Sequence, residues 1–496
     1  MSQAIFKRVG NYVRESYPIY VGSKAVTSTP LNRLGVVDKY TNQVVSHVPM
    51  ADKKIINDAI NQAVQSESKM KSLTASHRKD VLLDMANKIK NRADELAATI
   101  VVEVGKPLAD ARAEVGRAID TFTVAAEEAI RQNGEYIPLD ISAKNNGFQA
   151  ISKRFPVGAV SMIAPFNFPL NLCAHKIAPA IAAGCPFVLK PSDRTPISAI
   201  LLGEMLAECD LPAGAFSIFP TELADAPILS KDERFKLVSF TGSPQVGWKI
   251  KDEAGRKKVV LELGGNAACI VDEAIKESYL HHVAARILFG GFYAAGQSCI
   301  SVQRVYIHER HYNQLKTILL EQTQPLSKRR GDPMNINTFH GPMIGENDAI
   351  RVEKWVNDAV SKGATLLTGG KRDKAFFDLT ILENVPQTCD VSCKEIFGPV
   401  FVIEKFTDFK DVVNRVNNSE FGLQAGVFTD DIHKAHYAFN HIDVGAVVIN
   451  DIPSVRVDSQ AYGGIKGSGL GREGVKNTIE EYTELKLMIM KDVGKL

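Results

Sequence analysis

Cys299 stands in the run Ala-Ala-Gly296-Gln-Ser-Cys299-Ile. A glycine just before it lets backbone approach closely, which leaves the sulfur at a loop or helix start and not mid-core. An ordinary thiol, with a pKa of ~8.5, is only a few per cent thiolate at neutral pH, yet thiolate is the nucleophile. Cys299 is either one more inert buried cysteine or a nucleophile that its surroundings activate. Glu262 lies in Val259-Val-Leu-Glu262-Leu-Gly264-Gly265, a carboxylate inside an apolar run. Such a group is costly unless it is paired or functional, and burial raises its pKa towards that of a general base near neutrality. Asn167, in Ala164-Pro-Phe-Asn167-Phe-Pro169, precedes a helix opened by Pro169. Its amide can donate to a developing oxyanion or cap that helix.

A second set of residues suits a dinucleotide. In Phe240-Thr-Gly242-Ser243-Pro244-Gln-Val-Gly247 a strand runs into a glycine turn, and Ser243 stands before a helix opened by Pro244. The N–H groups and positive dipole end of that helix suit a pyrophosphate, although a capped helix without ligand fits as well. Lys190 and Asp193 follow another buried strand, where a cation and a carboxylate three apart either grip ribose hydroxyls or decorate a surface turn. Gly469-Leu-Gly471-Arg-Glu-Gly474 matches GxGxxG in form only. The apolar run Ala446–Ile449 ends some twenty residues earlier, and 22 residues follow Gly474, too few for a βαβ unit. A tight structural turn is expected there.

The elements that would position these residues alternate between helical and strand signals, which predicts an α/β architecture with parallel sheets. Ile55–Met70, Arg78–Val104 and Ala109–Gln132 carry apolar residues at helical spacing. Val157–Ile163, Pro186–Leu189 and Phe235–Phe240 read as buried strands, and Tyr482–Lys491 alternates like an exposed one. The 496 residues suit roughly three domains. Lys and Arg number 59 against 57 Asp and Glu, a balance that gives no basis for a nucleic-acid face. No apolar stretch is long enough to span a membrane, and the N-terminus lacks a signal-peptide core. Seven cysteines, an odd number, suit free thiols in a reducing cytoplasm, and Cys389 and Cys393 without nearby histidines suggest no zinc site.

Taken together, APFNFPLNL, the Lys190 loop, FTGS, LELGGN, GQSC, EIFGPV at 395–400 and YGGIKGSGLGRE resemble the aldehyde dehydrogenase superfamily, in its order and nearly end to end. The resemblance implies a Rossmann-like cofactor domain (1–133 and 154–263), an α/β catalytic domain (264–475) and a small β oligomerisation extension (134–153 and 476–496). It implies Cys299 as nucleophile, with the Asn167 amide and the Cys299 N–H as oxyanion donors. Glu262 would activate the water that hydrolyses the thioester, and Lys176 matches a lysine near the catalytic asparagine. Lys190 and Asp193 would hold the adenosine ribose, and Gly242, Ser243 and Gly247 the pyrophosphate turn. Glu395 would hold the nicotinamide ribose, with Phe397 against the ring. Asp193 stands where NAD-preferring members commonly carry glutamate, Ala461 replaces the usual proline before YGG, and Pro220 replaces a glycine near the adenine.

GQSCISVQR and SVRVD…YGG resemble the bacterial and archaeal branch that acts on lactaldehyde, glyceraldehyde, sulfolactaldehyde or phosphonoacetaldehyde. The segments that line the aldehyde tunnel offer Arg117, His175 and Arg456, which suits a short hydroxylated or anionic aldehyde. The expected function is NAD(P)-dependent oxidation to the acid through a thiohemiacetal and a hydrolysed thioester, with NAD preferred, in a homodimer or homotetramer. A CoA-acylating enzyme and a catalytically silent protein on the same fold are the alternatives.

Overall fold

The structure, a computed structural model, describes residues 12–30 and 33–493. An eight-stranded sheet takes the order Lys24–Val26, Ile19–Val21, Phe216–Ile218, Phe187–Lys190, Val160–Ile163, Leu237–Thr241, Lys258–Glu262, Gly469–Leu470. The five strands from Phe216–Ile218 to Lys258–Glu262 run parallel. Segments such as VSMI and FVLK are apolar on both faces because helices cover both. From Val160–Ile163 the chain moves outward to Phe187–Lys190 and Phe216–Ile218, then returns to the other side at Leu237–Thr241. The crevice of a doubly wound sheet opens at such a reversal, beyond the carboxyl ends of its strands. The loops holding Asn167, Lys190, Ser243 and Glu262 all leave those ends. This is the Rossmann-like arrangement that the resemblance implies.

A seven-stranded sheet takes the order Thr365–Thr368, Thr380–Glu383, Val400–Phe406, Val302–His308, Ala267–Val271, Gln424–Phe428, Ala446–Ile449. It contributes residues that precede its strands: Cys299 before Val302, and Glu395 with Phe397 before Val400. Two loop systems of opposite polarity thus meet at the site. Asn167 Nδ2 donates to Gln297 O at 3.1 Å, and Gly265 N to Glu395 Oε1 at 3.1 Å.

Local differences from the sequence reading have visible causes. The single helix expected over Arg78–Val104 is two, Ala75–Asn91 and Ala93–Val104. Arg92 leaves helical dihedrals between them (φ −111°, ψ 21°) and its guanidinium pairs with Glu95 and Glu204. The strand expected from Val157 starts at Val160, after Gly158 at φ 119°. Gly469–Leu470 pairs antiparallel with Leu261 and Glu262, so the GxGxxG run is a strand and turn.

A three-stranded antiparallel sheet joins Thr483–Lys491, Phe148–Pro156 and Tyr136–Pro138. The helix Val475–Glu481, which straddles the expected boundary between catalytic domain and extension, buries Val475 and Ile479 in the core around the eight-stranded sheet. Residues 1–11, 31–32 and 494–496 of the expected domain spans lie outside the described residues. Among the described residues no helix is long and apolar enough to cross a membrane.

Candidate active site

Cys299 follows a turn whose backbone is unusual: Ala294 and Ala295 have φ of 49° and 54°, and Gly296 of 69°. A Cβ on Gly296 would lie 2.0 Å from the carbonyl oxygen of Gly398, so only glycine lets the EIFGPV segment come this close. The Cys299 sulfur lies 3.0 Å from the Tyr462 hydroxyl. Burial pushes its thiol up to about 11, against the Tyr462 hydrogen bond and the Arg456 charge. The resting sulfur is therefore a thiol, and it needs a local cation or base to become the nucleophile.

Glu262 ends the strand Lys258–Glu262, 2% exposed, and neither carboxylate oxygen has a hydrogen-bond partner. Burial, then the negative charge of Glu473, holds its pKa well above the ordinary carboxylate range. Gly463 makes the space: a Cβ there would sit 2.7 Å from Glu262 Oε1. A buried carboxylate with no partner suits a group that must take a proton from water. Asn167, buried, donates one amide hydrogen to Gln297 O, which leaves its second for another acceptor.

Lys176, Arg456, Arg117 and His175 are each paired with a carboxylate. Lys176, fully buried, bonds Glu473 Oε1 at 2.9 Å and Ser239 Oγ at 2.9 Å, not Asn167 or Glu262. Arg456 bonds Glu473 Oε2 at 3.2 Å and stacks 3.7 Å over the Tyr462 ring. Although burial opposes it, these two cations hold Glu473 down at about 2. Arg117 and His175 Nε2 converge on Asp458 Oδ1 at 2.9 and 2.6 Å. Burial, reinforced by Arg456, lowers His175 to about 4, so its ring is neutral. The three residues that the family resemblance assigns to the aldehyde tunnel thus share one wall, each already holding a carboxylate.

On the cofactor side, Ser243 precedes the helix Pro244–Glu253 but its hydroxyl makes no capping bond. The Gly242 N–H goes to Glu262 O at 3.0 Å, and a Cβ on Gly247 would lie 2.3 Å from Leu263 Cδ2. Lys190 Nζ and Asp193 Oδ1 pair at 2.8 Å beyond the strand Phe187–Lys190. Burial raises Glu395 to about 7, partly offset by the Gly265 N–H. Phe397, at φ 45°, packs edge-on against Phe166 with centroids 5.8 Å apart. An uncommitted hydroxyl at a helix start, a lysine–aspartate pair at a strand end and a carboxylate beside the thiol fit a dinucleotide laid across the crevice.

Sequence reading missed Tyr462, Asp458 and Glu473. One signal was available for Glu473: it was the acid of YGGIKGSGLGRE left without a role, while Lys176 lay in an apolar helix needing a counter-charge.

The aldehyde dehydrogenase family model matches residues 26–488. Aldehyde dehydrogenase 21 from Physcomitrella patens, solved in complex with the reaction product succinate, is 51% identical with a TM-score of 0.95, covering 98% of this chain and 100% of that one. The 3-sulfolactaldehyde dehydrogenase of Priestia aryabhattai is 39% identical over 477 residues, 96% of this chain and 98% of its own. The glyceraldehyde-3-phosphate dehydrogenase of Methanocaldococcus jannaschii, complexed with NADP, is 35% identical with a TM-score of 0.88, covering 93% of this chain and 100% of that one.

Proposed function

This chain belongs to the aldehyde dehydrogenase family, and from that premise we propose that it oxidises a short aldehyde bearing one negative charge to the acid. It is an NAD(P)-dependent aldehyde oxidoreductase. Cys299 gives up its thiol proton to water and attacks the carbonyl carbon, and the oxygen of the thiohemiacetal takes hydrogen bonds from the Asn167 amide and the Cys299 N–H. NAD(P), which Lys190, Asp193, Ser243 and Glu395 would hold, would supply the hydride acceptor. Glu262 then takes a proton from water, which attacks the thioester and releases the acid. The unpartnered Glu262 carboxylate carries the hydrolytic reading, because transfer to a thiol would not need it.

The substrate class rests on the wall of charges. Arg117, Arg456 and Lys176 are opposed by two ionised carboxylates, Asp458 and Glu473, so one positive charge is left over. One carboxylate or sulfonate on the aldehyde balances it. Arg117 is the more open of the two arginines, with 28% of its side chain exposed against 7% for Arg456, and is the better candidate for direct contact. The relative solved with succinate agrees with this: the aldehyde that gives succinate carries one carboxylate. We propose NAD over NADP because the Asp193 carboxylate favours a ribose hydroxyl and repels a 2′-phosphate.

The exposed apolar side chains Leu485, Leu487, Met488 and Ile489 on Thr483–Lys491 support a homodimer or homotetramer joined through that sheet. The seven unbridged thiols suit a reducing cytoplasm. The deciding experiment is kcat/KM, with NAD and with NADP, for succinic semialdehyde, sulfolactaldehyde, lactaldehyde, butanal and glyceraldehyde 3-phosphate. The monoanions should lead. Equal values for butanal and succinic semialdehyde would overturn the charge argument.

A further inference from the structure

One face of the helix Leu108–Ala129 carries Asp110, Glu114 and Arg117 about a turn apart, and each reaches a different loop of the site. Asp110 Oδ2 accepts the Ala294 N–H at 3.2 Å, on the turn that presents Cys299. Arg117 reaches Asp458 in the loop that carries Arg456 and Tyr462. Between them, Glu114 Oε1 accepts the N–H groups of Leu170 and Asn171 at 2.9 and 3.2 Å. Its other oxygen bonds Lys106 Nζ at 2.6 Å, and that ammonium lies 3.7 Å from the Phe168 ring centroid. Lys106 and Glu114 are each 2% exposed.

These contacts surround Asn167. The helix Asn171–Ala183 has Leu170 at its N-cap position and no local side chain to bond its first N–H groups. Glu114 does so from 56 residues away. A serine or aspartate at position 170 would cap the helix without burying two charges, which carries a desolvation penalty. What the remote pair adds is a fixed relation between the helix Leu108–Ala129 and the Asn167 segment. That segment is held before Asn167 by the Ala164 N–H on Lys190 O at 3.0 Å, and after it by Glu114 and by Lys106 on Phe168. The Asn167 amide itself has one bond, so the segment sets its aim.

We propose that Glu114, with Lys106, is a positioning residue that holds the Asn167 amide where the thiohemiacetal oxygen forms. This rests on Asn167 being an oxyanion donor, as proposed above. A displacement of about 1 Å in such a donor costs on the order of 10²-fold in rate. Glu114→Ala should therefore slow the pre-steady-state burst of reduced cofactor roughly tenfold to a hundredfold. Cofactor affinity and the rate at which iodoacetamide alkylates Cys299 should not change, since neither uses the oxyanion donor. Glu114→Gln should recover part of the burst, because its amide oxygen still accepts the two N–H groups.

The decisive test is the cycle with Asn167→Ala. If Glu114 acts through Asn167, adding Glu114→Ala to Asn167→Ala slows the burst no further. If the two losses multiply, or if Glu114→Ala lowers thermal stability with a wild-type burst, the positioning role is overturned. A wild-type burst in Asn167→Ala alone would instead refute the oxyanion reading, and the proposal with it. Should Glu114→Ala fail to fold, the same cycle run with Glu114→Gln decides.

Discussion

Near Cys299, Lys176 and Arg456 each bond Glu473, at 2.9 and 3.2 Å, and Arg117 and His175 share Asp458 at 2.9 and 2.6 Å. Glu262 is equally buried, yet both its oxygens lack a partner, and the Asn167 amide oxygen lacks one too. The same chemistry, a buried carboxylate, thus has opposite properties. Glu473 is held down at about 2 by its cations, whereas burial and Glu473 itself push Glu262 up. A paired charge is held in place, and acts through its field and through any donors the pair leaves free. An unpaired buried polar group carries a desolvation penalty that folding does not recover, and it persists where a reaction supplies the partner. On the proposed mechanism the paired wall would set substrate and pH response, and the unpaired side would break and make bonds.

Removing the proposed nucleophile is the harshest test of that division. Cys299→Ala should abolish oxidation while NAD binding, measured by fluorescence titration, stays close to wild type. Appreciable turnover would mean that the covalent step lies elsewhere. Glu262→Gln comes next. It should leave a stoichiometric burst of reduced cofactor and then slow steady turnover by about 10²–10⁴-fold, the range of a general base. Wild-type steady turnover without a burst would place Glu262 outside the chemistry.

The unpaired side was the legible one. Cys299, Glu262 and Asn167 each look out of place within their own few residues: a carboxylate in VVLELGG, an amide between two aromatics and prolines, a thiol after a glycine. The strands that position them were equally local, and Lys258–Glu262 and Leu237–Thr241 are short apolar runs ended by glycine turns. The paired wall was not legible, because pairing is a property of two distant segments. Lys176 and Glu473 are 297 residues apart, and Arg117 and Asp458 are 341 apart. The break at Arg92 belongs to the same class, since Glu204, one of its partners, stands in another helix.

Within the paired wall, Arg117 is where substrate and structure separate. A charge-assisted hydrogen bond contributes about 1.5–3 kcal/mol, so Arg117→Ala should lower kcat/KM for succinic semialdehyde roughly tenfold to a hundredfold, mainly through KM. Butanal should change far less. Arg456→Ala is a different perturbation. It uncovers Glu473 and the Tyr462 ring beside the thiol, so it should penalise charged and neutral aldehydes together. If Arg117→Ala also penalises both alike, the anion contact is wrong.

A smaller effect is expected at Asp193, whose carboxylate stands 2.8 Å from Lys190 Nζ. Two charges 4 Å apart in water interact by about 1 kcal/mol, so Asp193→Ala should improve NADP relative to NAD by roughly fivefold. A ratio of kcat/KM values that does not move would separate Asp193 from the ribose.

The finest test asks whether the paired wall tunes Glu262 through its field. The negative charge of Glu473 raises the Glu262 pKa, and Lys176 and Arg456 lower it. Hydrolysis of the thioester needs Glu262 ionised, so its rate rises with pH through that pKa. Glu473→Gln removes the nearby negative charge and leaves Lys176 uncompensated. Both changes favour the ionised form of Glu262, and the acidic limb of the deacylation profile should move to lower pH. Lys176→Met removes one cation and leaves Glu473 with Arg456 alone, so the same limb should move to higher pH. Each variant also breaks a buried ion pair, which costs about 3–5 kcal/mol, so both should melt earlier. Loosening of the fold alone would shift the two limbs the same way or not at all. Opposite shifts from the two halves of one ion pair, read in deacylation rate against pH, require that the wall act on Glu262 through charge.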